Sequence, residues 1–201
     1  MDLREELPGD AESVRDVHLR AFGGHGPVVA GLVDTLRGSV TPADGLSLVA
    51  EHDERVVGHV MFTRGLLDAP RRLVDVRVLS PLAVLPGHQR TGIGAALVRH
   101  GLRTLAARAV PVVFVEGDPA YYARLGFLPA GDHGFRKPSL RIPDAAFRAM
   151  TLPAYEPWMT GTLVYSEPFW RHDAVGLRDP AAPEDHLPRG ERCPTIHAWP
   201  P

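Results

Sequence analysis

Apolar residues at Val14, Val17, Ala21 and Phe22 recur three and four positions apart, behind Asp10 as an N-cap and ahead of the Gly23-Gly24 stop. That spacing predicts a first helix. A second is predicted from about Pro27, with Val29, Leu32, Val33 and Leu36 on one side and Gly38 at its end. The period then changes. Leu46 to Glu51 reads as a short strand, His52-Asp53-Glu54-Arg55 as a polar turn, and Val56 to Thr63 as the returning strand of a hairpin. Leu73 to Leu85 reads as a third strand but contains Pro81, which removes a ladder hydrogen bond; the proline predicts a bulge or an edge there.

From Gln89 to Arg108 the helical pattern is the strongest in the chain, with Ile93, Leu97, Gly101 and Leu105 on one face and Arg99 and Arg103 opposite. Val110 to Val115 is a near-continuous apolar run of strand length, the pattern of a strand buried on both sides. Pro119 to Leu125 predicts a short helix closed by Gly126. Phe127-Leu128-Pro129 starts another strand, Asp144 to Met150 reads as a short helix, and Gly161 to Tyr165 as a final strand. The stretch 171–201 is rich in Pro and Arg without periodicity, so a domain over 1–170 with a tail is expected.

Composition narrows the function more than the fold. A chain of 201 residues suits one well-buried core, and a formal net charge of −2 gives no reason to expect nucleic acid or a membrane as partner. The only cysteine is Cys193, which rules out an intrachain disulfide and cysteine-based zinc motifs. The acidic start of the chain has no apolar signal-peptide core, and no run reaches the roughly 18 apolar residues of a membrane span. A cytoplasmic location is therefore expected. The 10 histidines are scattered without close ligand spacing, so no metal is expected.

The chemistry concentrates in one stretch. Ser80-Pro81-Leu82-Ala83-Val84-Leu85-Pro86 runs through Gly87-His88 into Gln89-Arg90-Thr91-Gly92-Ile93-Gly94-Ala95 and the long helix. A strand, a glycine-containing loop and a helix N-terminus together make an anion site, because the first helical N–H groups are unpaired and carry the positive end of the macrodipole. A nucleotide P-loop would need Lys and Ser/Thr after Gly92, where Ile93-Gly94 stand instead. A dinucleotide fingerprint would need Gly at Leu97.

The remaining pattern, Gln/Arg-x-x-Gly-x-Gly/Ala after a strand, is met by Gln89, Gly92 and Gly94. With Leu82-Ala83-Val84 before it and Tyr122-Ala123-Arg124-Leu125-Gly126-Phe127 after the next strand, the chain resembles the GNAT family of N-acetyltransferases over roughly residues 1–165. Gly117-Asp118-Pro119-Ala120-Tyr121-Tyr122 is similar to its bacterial YhbS subgroup. The resemblance implies an α+β fold layered α/β/α: a mixed, mostly antiparallel twisted sheet, flanked by helices, with a bulged and splayed central strand pair. Pro81 then falls at the bulge. The resemblance also implies acetyl-CoA as cosubstrate. Its pantetheine arm would lie along Leu82, Ala83 and Val84, and its pyrophosphate on Gln89, Arg90, Thr91, Gly92, Ile93, Gly94 and Ala95.

Transfer from a thioester to an amine needs a neutral amine, a stabilised oxyanion and a protonated leaving thiolate. An alkylamine is neutral to about one part in a few thousand at pH 7, a penalty of roughly 4–5 kcal/mol. By family position Tyr122 is the candidate acid and the Val84 N–H the candidate oxyanion donor. Tyr121 is expected to point elsewhere, and Asp118 sits near a CoA-contacting Asn of the family at a shortened spacing. For the base, Glu51, Glu116, His59 and His88 are open, with Glu116 preferred for its place at the end of the strand beside the splay. Arg136, Lys137, Arg141 and Arg148 could engage an acidic acceptor or a CoA phosphate, or simply be solvated. Tyr155, Trp158, Phe169 and Trp170 could wall an acceptor pocket or simply pack. Three functions follow: an enzyme acting on a small primary amine, one acting on a protein Lys or N-terminus, and an acyl-CoA-binding sensor without turnover. A homodimer is compatible with each.

Overall fold

The computed structural model describes residues 1–38 and 44–176. The chain runs β1 (Asp2–Glu5), α1 (Ala11–Phe22), α2 (Gly26–Arg37), β2 (Leu46–His52), β3 (Arg55–Asp68), β4 (Leu73–Val84), α3 (Ile93–Ala107), β5 (Val112–Glu116) and α4 (Pro119–Ala123). It continues through β6 (Leu128–Pro129), β7 (Phe135–Arg136), β8 (Phe147–Thr151), β9 (Gly161–Val164) and α5 (Glu167–Arg171). The sheet order is β1-β2-β3-β4-β5-β8-β6, with β9 beside the far end of β3 and β7 beside β9. Among the described residues only β4/β5 and β7/β9 are parallel pairs.

Strand alternation sorts the apolar side chains into two cores, one on each face. Val14, Leu32, Val33 and Leu36 of α1 and α2 pack with Met61, Val76, Val78, Phe114 and Phe169 on one face. Ile93, Leu97, Val98 and Leu105 of α3 pack with Val60, Phe62, Val113, Val115 and Tyr122 on the other. The layered, mostly antiparallel architecture expected from the sequence is the one observed.

Pro81 lies where it was expected, in an irregularity of the ladder. Val60 pairs with Leu82 and Phe62 with Leu79, so Met61 faces two residues, Ser80 and Pro81. Gly126 also acts as expected: at φ +93° it lets its own N–H reach Ala123 O at 3.0 Å and the Phe127 N–H reach Tyr122 O at 3.1 Å, the paired bonds that end a helix.

Four expectations need correction. Asp144 to Met150 is not a helix: a single turn over Asp144–Ala146 leads into β8, whose Phe147 and Ala149 face the core and whose edge pairs antiparallel with β5. Tertiary pairing overrides local helix propensity there. The strongest helix begins at Ile93 and not at Gln89, because Arg90 at φ +62° and Gly92 at φ +93° stand outside right-handed helical geometry. Asp10 precedes α1 but caps nothing with its side chain, which instead accepts from the Leu7 N–H at 2.7 Å and binds Arg4. The tail expected from residue 171 starts inside the packed body: Val175 is fully buried and the Gly176 N–H bonds to Glu116. The remainder of that expected tail, residues 177–201, lies outside the described residues.

Candidate functional site

β4 and β5 are paired only at Arg77–Val113 and Val78–Phe114. Past those residues the pairing stops, and among the described residues the β4 edge from Leu79 to Val84 has no strand partner on that side. The Leu85 N–H is bound to Val57 O at 2.9 Å across the β3 ladder. Because main-chain groups alternate between the two edges of a strand, those of Leu82 and Val84 face the gap. Leu82 and Val84 are half-buried, and the side chain of Ala83 points to the opposite face.

The loop that follows is bound back to this edge: Gln89 donates through Nε2 to Val84 O at 3.0 Å, and Thr91 through Oγ1 to His88 O at 2.6 Å. Gly92 precedes α3 with no side chain to cap it, and the first helical bond is Ala96 N–H to Gly92 O at 2.9 Å. The N–H groups of Ile93, Gly94 and Ala95 therefore open at the helix start without intrahelical acceptors. Gln89, Arg90, Thr91 and Gly92 are exposed, Gly94 and Ala95 half-buried, and Ile93 turns its side chain into the core. A Cβ on Gly87 or Gly92 would meet nothing within 4 Å. The structure thus brings the whole predicted anion site to one open surface at the mouth of the gap.

Tyr122 and Glu116 lie on opposite faces of the sheet. Tyr122 is 8 % exposed, in the α3-side core, with Phe127 edge-on at 5.6 Å. Its ring lies so near Gly117 that a Cβ there would stand 2.5 Å away. Burial drives the phenol pKa up, so the hydroxyl keeps its proton at neutral pH and can donate it. Glu116 continues the Val112/Phe114 side of β5, toward α1 and α2. Its carboxylate accepts one N–H, from Gly176, at 3.0 and 3.3 Å. Burial raises its pKa, against the pull of that N–H and of Arg141.

Tyr121, expected to point elsewhere than Tyr122, turns to the other side, and its hydroxyl stands 2.7 Å from where a Cβ on Gly94 would be. It overhangs the helix start, half-buried, with Arg124 and Arg99 near enough to act on its ionisation. Its place beside the start of α3 was not legible in the sequence; only the shortness of α4, which turns adjacent side chains to two sides, could have signalled it. Asp118 plays a plain structural role, its Oδ1 capping α4 by accepting from Ala120 N–H at 2.7 Å and Tyr121 N–H at 3.0 Å.

The other candidates are not gathered at the gap. Glu51 pairs with Arg4, and His88 sits edge-on to His52 at 5.7 Å. Lys137 binds Asp144 and Ile142 O, Arg136 binds Thr162, Arg141 faces Asp173, and Arg148 binds Phe127 O. Phe169 is core, Tyr155 packs on Phe135, Trp158 lies under Arg71 and Arg72, and Trp170 donates to Tyr165 O. His59 is fully buried on the α1 side of β3. Among the described residues no group of three His, Cys, Asp or Glu is arranged to hold a metal ion, and no helix is long and apolar enough to cross a membrane.

Comparison with known proteins bears on this geometry. Residues 12–127 match the model of the acetyltransferase (GNAT) family. The chain is similar to the N-acetyltransferase YjhQ of Escherichia coli, at 36% identity over 79% of this chain and 88% of that one. It is similar to YhbS of Escherichia coli at 34% identity over 68% and 78%. Among solved structures, YhbS in complex with CoA superposes with a TM-score of 0.74 at 31% identity, covering 85% of this chain and 92% of that one. A Brucella melitensis GNAT acetyltransferase in complex with acetyl-CoA superposes with a TM-score of 0.66, also at 31% identity, over 84% and 97%.

Proposed function

The chain belongs to the acetyltransferase (GNAT) family, and from that premise we propose that it moves an acetyl group from acetyl-CoA to a primary amine by direct attack in a ternary complex. The observation that carries this reading is the coincidence of two features: pairing of β4 with β5 stops after Val78–Phe114, and the uncapped start of α3 opens at the far end of the same edge. A pantetheine arm carries amides, and a strand edge without a neighbouring strand takes amides as it would that strand. A diphosphate suits the N–H groups from Gln89 to Ala95 for the reasons that make any helix start an anion site.

In this reading acetyl-CoA supplies the activated acyl group, and the protein supplies position and protons. Leu82, Ala83 and Val84 hold the arm, and the Val84 N–H donates to the carbonyl oxygen as charge develops there. Tyr122, neutral and aimed from the α3 side, gives its proton to the departing thiolate. The acceptor amine enters from the α1/α2 face, where Glu116 is the carboxylate beside the gap. The folded acyltransferase unit extends in this proposal to Gly176, six residues beyond the boundary at 170, because Val175 is part of the core.

The acceptor is a small amine or an amine on a peptide. A thiol-release assay with acetyl-CoA across a panel of both decides between them. Binding of CoA without thiol release for any amine would leave an acyl-CoA-binding protein without turnover, and the proposed activity would fall.

A further inference from the structure

The transfer described above uses one of two adjacent phenols. Tyr121 and Tyr122 have ring centroids 5.1 Å apart and planes 89° apart, so their hydroxyls point to different places. Tyr122 packs against Gly117 and Phe127. Tyr121 reaches from α4 across to the first turn of α3. It is half-buried, and its hydroxyl makes no hydrogen bond among the described residues.

Gly94 makes the room for that hydroxyl. A Cβ added at Gly94 would stand 2.7 Å from the Tyr121 oxygen, while the next atoms are Val84 Cγ2 at 3.7 Å and Leu82 Cδ2 at 3.8 Å. Those two are ordinary contacts, so the hydroxyl alone fills the space that Gly94 leaves open. At Gly92 the same addition meets nothing within 4 Å. The two glycines therefore answer different demands: Gly92 a backbone angle of φ +93°, Gly94 the oxygen of a tyrosine. The Cα–Cβ direction in a helix leans toward the N-terminus. An oxygen lying in that direction from Gly94 is on the side of the free N–H groups that open α3, beside the side chains of Leu82 and Val84.

Phenylalanine would pack there as well as tyrosine, so the hydroxyl calls for a use of its own. Burial raises the Tyr121 pKa against the pull of Arg124 and Arg99, and the phenol keeps its proton at neutral pH. The N–H groups and the phenol O–H are then all donors. Only an acceptor can satisfy them together, and an oxyanion does so best.

We propose that Tyr121 binds the cosubstrate, its O–H donating to a diphosphate oxygen of acetyl-CoA held at the start of α3, and that Gly94 lacks a side chain in order to admit that hydroxyl. One side-chain donor is thereby added to a site otherwise built of main chain. The contact also has a structural consequence. α3 follows β4 and α4 follows β5, so a diphosphate gripped by both joins the two sides of the gap.

This inference rests on the acetyl-CoA site proposed above, and its test measures binding alone. Wild type, Tyr121→Phe, Gly94→Ala and the double variant, each as the full chain, are titrated calorimetrically with CoA and 3′-dephospho-CoA. Pantetheine, which has no phosphate, is measured by competition against bound CoA. Tyr121→Phe is expected to weaken CoA and 3′-dephospho-CoA alike, by about ten-fold, and pantetheine by less than about two-fold. Gly94→Ala should weaken CoA several-fold in the wild-type background, on the order of the cost of moving one oxygen, but by less than about two-fold once that oxygen is gone. Unchanged CoA affinity in Tyr121→Phe would overturn the contact. Equal losses for CoA and pantetheine would make the ring a wall of the arm's channel, and a loss that 3′-dephospho-CoA escapes would move the contact to the 3′-phosphate; both overturn the assignment to the diphosphate. Additive effects of the two substitutions would overturn the account of Gly94. A wild type that binds CoA as expected but releases no thiol with any amine would end the transferase reading and leave the Tyr121 contact standing, whereas a wild type that does not bind CoA would end both.

Discussion

The two faces of the sheet meet at one gap and are built from different materials. On the α3 side the site is main chain: N–H groups of a helix start, a loop with Gly92 at φ +93°, and a strand edge that lost its neighbour. The α1 side is side chain: His18 of α1, Arg37 of α2, Ser47 of β2, His59 of β3 and Glu6 just past β1, with both imidazoles fully buried. A backbone site recognises what is constant in a cosubstrate, its amides and phosphates. A buried cluster of titratable side chains makes the fold sensitive to pH.

The comparison can be broken most directly on the main-chain side. Gly92→Glu puts a carboxylate into the proposed pyrophosphate site at a backbone angle that disfavours it, and CoA binding by calorimetry is expected to drop by about 100-fold or more. Unchanged affinity would mean that the loop is not the anion site. Tyr122→Phe is expected to lower kcat by about ten- to a hundred-fold while CoA affinity stays within about two-fold. Equal losses in both would make the ring a packing residue between Gly117 and Phe127.

The side-chain half should show itself as acid sensitivity of the fold. His18 ionises near 6.5 when unfolded but at about 3 when folded. Below pH 6.5 the unfolded chain therefore binds more protons, and the stability that neutral His18 contributes above that pH is progressively lost on acidification. The loss is about 2 kcal/mol by pH 5. Glu6, held at about 2, adds to the same trend at lower pH. Urea unfolding at pH 7 and pH 5 checks this, and His18→Gln should flatten the difference; a profile identical to wild type would show that burial of that imidazole is not what the pH senses.

The same contrast explains what could be read from the sequence. The stretch proposed to hold the cosubstrate is contiguous: Ser80 to Ala95 carries bulge, strand, loop and helix start in sixteen consecutive positions. Pro81 was legible because a proline in a strand can sit at few places, and Gly126 because a helix end needs a residue at ease with positive φ. The buried polar cluster could not be read, since positions 6, 18, 37, 47 and 59 have no common spacing and become neighbours only through the β2/β3 ladder and the packing of α1 and α2. β1 escaped notice because Asp2-Leu3-Arg4-Glu5 is a polar edge strand with little apolar alternation to mark it. β8 was misread for the opposite reason: Ala145, Ala146, Ala149 and Met150 favour a helix locally, and pairing with β5 decides otherwise. Tyr121 and Tyr122 show the limit of a motif. It singles out Tyr122 but says nothing of the neighbour that leans over Gly94.

The unzipped edge of β4 also gives the protein an internal reporter. Two amides that no strand protects, those of Leu82 and Val84, should trade hydrogen for deuterium readily in the empty protein and slow sharply once an acyl carrier threads the gap. Loading could then be followed by labelling alone, with no acceptor amine in the tube and no need to know which one the cell supplies.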